Sequence, residues 1–342
     1  MVHSHRAVES KKIPMYVKFC LFYAISSFST TAILAKIEGR LMSSEPGTFP
    51  LMYNISTILD FLILNPLCIY FLFKSRENKS LINSYTKKYN NPSNYYIIFS
   101  IIFSISLSII LIYKYYLSFL NNEIYDAIFL EINGIKTLTI SGYSALFWTF
   151  LFISLLLTFI MIEIHHVFNI LRINTSDIEY VPSHSDQSGG IKKFLDPSLY
   201  FLISAVCISL IFLIFIIQDR IIYSSSANNR LSLIPLYSPV AILLLIIPLL
   251  KLHDLMKKKK DDYLNNIRKF TFPEGLDIIT SEELTPERIK ITSDNIDYYN
   301  KIYAQLPEWP LPKRTITLII ATSGAALAPI AHSALEYIKI LI

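Results

Sequence analysis

Tyr143–Leu171 reads YSALFWTFLFISLLLTFIMIEIHHVFNIL, and its first charged side chain is Glu163, so twenty residues pass without a formal charge. A helix of that length spans about 30 Å, the hydrocarbon thickness of a bilayer. Four more runs of the same kind lie at 48–73, 95–117, 197–218 and 231–252, and two weaker ones, 15–35 and 315–335, are diluted by Ser, Thr and Ala. Only 17% of the 342 residues are charged and 53% are hydrophobic, with a mean hydropathy of +0.45. An ordinary soluble domain is roughly 25% charged. These values exclude a globular enzyme in water, a disordered protein and a coiled coil. The fold class read from them is all-α: a polytopic transmembrane helix bundle of about seven spans, six if the first or last does not cross, with the lipid bilayer as its main partner.

Charge placement orients the bundle, because Lys and Arg gather in cytoplasmic loops. With seven crossings and the N-terminus inside, the inner segments hold 23 of the 31 basic residues. The outer segments hold five, Lys36, Arg40, Lys136, Arg220 and Arg230. The first run also has a rival reading as a cleaved signal with Ala35 at the cleavage position. Ser323, Gly324 and Pro329 suit a re-entrant last segment as well as a crossing one. The chain therefore divides into 1–252, the first six spans with short loops; 253–314, a cytosolic amphipathic helical region; and 315–342, a C-terminal membrane segment.

Outside the membrane, Asn133-Gly134 separates two β-prone runs, the pattern of a small external hairpin with a type I′ turn. In 253–314 acidic and basic residues nearly cancel. Leu252, Leu255, Met256, Leu264, Ile267 and Phe270 have helical spacing, so the sixth span is expected to continue through Lys257–Lys260. Ser293 is placed to cap a further helix carrying Ile296, Tyr299, Tyr303 and Leu306 on one face. Pro307, Pro310 and Pro312 then stiffen a stretch whose Trp309, Lys313 and Arg314 suit the headgroup layer as an interface anchor. About sixty residues bury little core, so this region reads as a docking platform for a cytosolic protein. Ser100, Ser104 and Ser108 recur every four residues, allowing close helix approach within the chain or in a homo-oligomer. No nucleic-acid partner is expected. Cys20, Cys68 and Cys207 each lie in an apolar run and read as small hydrophobes.

Three groups carry candidate chemistry. In the second span Asp60 is accompanied by Asn54, Thr57 and Asn65; a charge at that depth costs at least about 2.5 kcal/mol, so it needs a partner or a watery cavity. On a regular helix Asn54, Ile58, Phe61 and Asn65 share a face, and Asp60 lies about 100° from it. Glu163 and His166 are three residues apart on one helix face, and with His184 and Asp186 they form a candidate divalent-metal set. Gly189 and Gly190, followed by Lys192 and Lys193, form a candidate anion or headgroup cradle, although no P-loop pattern is present. G-x-S-x-G and H-E-x-x-H are absent, so no catalytic residue is assigned.

The stretch His184 to Gly190, H-x-D-x-x-G-G, followed by an apolar span, resembles a group of uncharacterised bacterial multi-pass membrane proteins. So do Leu306-Pro307-Glu308-Trp309-Pro310 ahead of the last apolar segment, Asn65-Pro66, and Asn133-Gly134 to Tyr143. The resemblance implies the bacterial inner membrane and no particular activity. The residues themselves point to a polar pathway or signal-coupled pore or transport component with a cytosolic docking region. A metal-dependent membrane enzyme at the cytoplasmic leaflet and a non-catalytic scaffold subunit are the alternatives.

Overall fold

The structure, a computed structural model, describes residues 13–39, 41, 55–82, 93–120, 129–132, 135–178, 188–223, 234–271 and 306–312, with short runs between 290 and 327. Five helical stretches are long and apolar enough to cross a membrane: Met15–Ile37, Thr57–Glu77, Asn94–Lys114, Ile140–Leu171 and Tyr237–Ile267. The expected run 197–218 falls within a sixth helix, whose described apolar part is Asp196–Ile211 and too short to be included. Most of 315–335 lies outside the described residues, and those that are described there are helical. Of the expected run 48–73, residues 55–73 are helical and 48–54 lie outside the described residues.

Helix α1, Met15–Ile37, ends where Gly39 adopts φ 72° and closes the last turn, donating its N–H to the Lys36 carbonyl. The second rod has three parts: α2, Ile55–Leu59; a π turn, Asp60–Leu64; and α3, Asn65–Ile82. Pro66 explains the break, since it offers no N–H and its ring crowds the carbonyl four residues back. The ladder responds by widening, and the Asn65 N–H is donated to the Asp60 carbonyl five residues back.

Helix α4, Asn94–Leu120, begins with the Ser93 hydroxyl accepting from the Tyr96 N–H at 3.2 Å. It packs on α5, Ile140–Leu171, and its Ser100, Ser104 and Ser108 are fully buried. Small side chains at that spacing let the two backbones approach. Across this seam the Tyr96 hydroxyl donates to the Met161 carbonyl at 2.7 Å. Strands β1, Phe129–Ile132, and β2, Ile135–Leu138, pair antiparallel with Ile132 opposite Ile135. Asn133 and Gly134 themselves lie outside the described residues.

Helix α5 has two caps. Thr139 Oγ1 accepts from the Gly142 N–H at 2.9 Å, and the Glu38 carboxylate accepts from the N–H groups of Ile140 and Ser141 and from the Ser141 hydroxyl. A carboxylate at a helix N-terminus also complements the helix dipole. Helix α6, Asp196–Tyr223, packs against α3 and α7. Helix α7, Ile234–Thr271, has 38 residues and is about 57 Å long, far more than a bilayer core needs. It runs through Lys257–Lys260 as the apolar spacing predicts, with Leu252, Leu255, Met256 and Leu264 all buried.

Two apolar clusters organise the chain. The larger joins Tyr23, Phe61, Ile69, Trp148, Phe159, Phe201 and Leu245 from six helical segments. The smaller gathers the Leu171 end of α5, the turn before α6, the middle of α7 and Leu311. Helix α1 belongs to the larger core: Tyr23 donates to the Trp148 carbonyl at 3.1 Å, and Trp148 Nε1 donates to Thr30 at 2.9 Å.

Candidate functional site

Register places the Asp60 turn in depth. Asn65 is within hydrogen-bonding reach of Asp60 and of the Tyr23 hydroxyl. Tyr23 stands eight residues, about 12 Å, from the start of α1 and fifteen, about 22 Å, from Glu38 at the first turn of α5. The turn is therefore level with the interior of the bundle. Two residues five apart are about 140° apart around a regular α-helix. The extra residue in the π turn reduces the angle to roughly 50°, which brings Asp60 and Asn65 to one side. The straight-helix expectation, with Asp60 turned away from the Asn65 face, is thereby corrected. Asn54 lies outside the described residues, and Thr57 is half-buried one turn before Asp60.

Among the described residues, four buried side-chain oxygens have no hydrogen-bond partner: Asp60 Oδ1, Asn65 Oδ1, Ser104 Oγ and Ser154 Oγ. Helical serine hydroxyls can rotate onto the carbonyl four residues back, so the last two need little explanation. The carboxylate and amide oxygens have no such escape, and Asn65 is only 2% exposed. The mean run of native structures leaves very few such groups. These two share a single turn.

A second acid, Glu163, is fully buried toward the Leu171 end of α5. Its Oε1 accepts from Ser198 Oγ of α6 at 2.6 Å, and its Oε2 from Ser75 Oγ of α3 at 3.3 Å. His166, also fully buried, donates from Nε2 to the Phe194 carbonyl at 3.1 Å, which fixes the tautomer. His165 instead meets the Asn169 amide and the Tyr96 ring. His184 and Asp186 lie outside the described residues. Both Glu163 oxygens and His166 Nε2 are thus already engaged within the protein. No group of three or more His, Cys, Asp or Glu side chains is placed to hold a metal ion among the described residues.

Gly189 and Gly190 have φ of 63° and 85°, and the Ile191 N–H returns to the Ser188 carbonyl at 3.1 Å. Two consecutive positive φ values under such a bond define a tight turn of the I′ kind, which explains the glycine pair without an anion. Lys192 and Lys193 follow in a short 3-10 helix, half-buried.

Leu306–Pro312 forms a strap along the second half of α7. Trp309 stacks on His253, ring centres 4.0 Å apart and 14° from parallel, and the His253 Nδ1–H donates to the Glu308 carbonyl at 2.7 Å. Lys260, itself buried, donates to Glu308 Oε1 at 2.7 Å. That hydrogen bond, reinforced by the Lys260 charge, holds the Glu308 carboxyl below the ordinary carboxylate range. Trp309, 40% exposed, therefore has a protein partner as well as any interface role; Lys313 and Arg314 lie outside the described residues.

Sequence reasoning missed Tyr23, Ser75, Ser198 and Lys260, whose partners are distant in the chain. It also missed the π turn, for which Pro66 was an available signal. The helices define a class, being compatible with a multi-pass helical membrane protein. Compared with known protein families, curated proteins and solved structures, the chain matches none.

Proposed function

We propose that this chain is a transport or pore component of the bacterial inner membrane, whose bundle carries a polar pathway through the Asp60 turn. The observation that supports it most is the pair of shielded, partnerless oxygens, Asp60 Oδ1 and Asn65 Oδ1, on one helix turn. Ionisable residues in membrane helices are rare and mark ion or substrate routes. A helix interrupted by a wide turn and a proline is the usual way such routes present polar backbone in an apolar bundle.

In this reading seven segments cross, α6 and 315–335 included, the N-terminus is cytoplasmic and the β1–β2 hairpin is external. The far half of α7 projects into the cytosol, where its exposed Lys257 and Lys258 and the pinned strap form a docking region for a partner protein. A reporter fused beyond Lys260 is expected to be active only in the cytoplasm. The pathway is tested in proteoliposomes containing the purified protein and a pH- or ion-sensitive dye. Wild-type vesicles are expected to show flux, and Asp60→Ala vesicles only the leak of empty ones. Unchanged flux in the variant removes Asp60 from the mechanism, and wild-type vesicles as tight as empty ones favour a scaffold subunit.

A further inference from the structure

The Asp60 turn offers a third oxygen besides its two side chains. Backbone carbonyls in a helix are satisfied by amides four, or in a π turn five, residues on. For Phe61 the first is Asn65, whose N–H goes to the Asp60 carbonyl, and the second is Pro66, which has none. The Phe61 carbonyl, which points along the axis toward Asn65, is thus released by the same break that brings Asp60 and Asn65 together. With Asp60 ionised, the turn carries one negative charge and two neutral oxygens, and the sequence from Ile55 to Phe73 has no Lys or Arg to neutralise it. The Asn65 amide donor is directed toward Asp60 and Tyr23, so its oxygen is left for something else.

We propose that Asp60, Asn65 and the Phe61 carbonyl hold a sodium ion. The donor set is all oxygen and carries a single charge, which suits a monovalent cation; calcium takes six to eight oxygens, commonly several of them carboxylates, and transition metals prefer nitrogen or sulfur. A proton on Asp60 satisfies one acceptor and leaves the others bare. A full carboxylate is a strong-field ligand, which favours sodium over the larger potassium ion. Released carbonyls at interrupted helices are a known means of binding such ions within membranes.

The inference deepens the Asp60 reading and rests on it only for access of the site to water. The full-length protein in detergent is unfolded by heat in sodium, potassium or choline chloride at equal ionic strength, each at pH 8. Sodium is expected to raise the midpoint over choline by about 4 °C, and potassium by less than half of that. Asp60→Asn and Asn65→Leu are expected to abolish the rise. The wild-type comparison among salts stands even if a variant does not fold. Equal midpoints in sodium and choline overturn the inference, and if vesicle flux persists the pathway carries another ion. A sodium-specific rise that survives Asp60→Asn also overturns it. A rise lost with Asp60 but without any vesicle flux supports the ion site and overturns the pathway.

Discussion

Glu163 accepts hydrogen bonds on both carboxylate oxygens, whereas Asp60, equally shielded at Oδ1, keeps that oxygen without a donor. Both acids sit in helices that pack into the same apolar core. Serines from two neighbouring helices converge on Glu163, so its charge or proton is held by the fold and ties α3, α5 and α6 together. Around Asp60 the helix itself is broken and polar atoms are left over. A buried polar group with full partners stabilises; one without them costs free energy and persists for another reason. The difference is between an acid whose oxygens the fold satisfies and one with an oxygen it leaves unsatisfied, and the latter is what the proposed pathway rests on.

That contrast is broken most directly by comparing substitutions at the two acids in sodium-free buffer. Glu163→Ala is expected to lose about 3 kcal/mol, since it empties a packed site and strands two serine hydroxyls. Glu163→Gln retains one acceptor and is expected to lose about 1–2 kcal/mol. Asp60→Asn removes a carboxylate oxygen that has no donor and is expected to leave stability unchanged or to raise it. Denaturation of the purified variants followed by intrinsic fluorescence checks the order. An Asp60→Asn loss as large as that of Glu163→Gln removes the distinction.

The serines sharpen it. Ser198 approaches Glu163 at 2.6 Å and Ser75 at 3.3 Å. Ser198→Ala is expected to cost about 1–1.5 kcal/mol and Ser75→Ala less than about 0.5 kcal/mol, read in the same denaturation experiment. Similar losses would mean that Glu163 is held by cavity shape rather than by directed bonds.

A more local effect is expected at the strap. Its Glu308 carboxyl titrates below its ordinary value in the folded protein because of Lys260. The stabilisation is therefore complete at neutral pH, where folded and unfolded forms are both ionised, and is lost as pH falls through the ordinary carboxylate range and then the lowered folded value. Glu308 is about half exposed, so solvent screening limits the contribution to below about 1 kcal/mol. Amide exchange of the strap is expected to accelerate on acidification in the wild type, and already at neutral pH in Glu308→Gln. A strap equally protected at both pH values would leave Trp309 and Leu311 as its principal fastenings.

Much of this architecture was readable because lipid-length runs and helical spacing are local properties. The continuation of α7 through four consecutive lysines followed from the helical spacing of Leu252, Leu255, Met256, Leu264, Ile267 and Phe270. The shared face of Glu163 and His166 was readable for the same reason, but what each side chain meets was not. Ser75 is 88 residues from Glu163 in the chain, and no pattern in one helix announces a donor on another. At Asp60 the error was one of geometry: a constant 100° per residue fails when a proline forces a wider turn. Trp309 illustrates a different gap, since an aromatic beside basic residues predicts an interfacial preference, while its stacking on His253 depends on where α7 ends up.

The Glu38 bond to Ile140 spans 102 positions of the chain, which matters for how the molecule is made. During translation the first helix emerges long before the amides it will cap exist, and the fifth helix starts with open amides until that acid arrives. The two must find each other after three intervening helical pieces have been laid down. Assembly is therefore checked late, by a latch whose halves come from early and midway moments of synthesis, and a chain stalled before Ile140 has nothing for Glu38 to close upon.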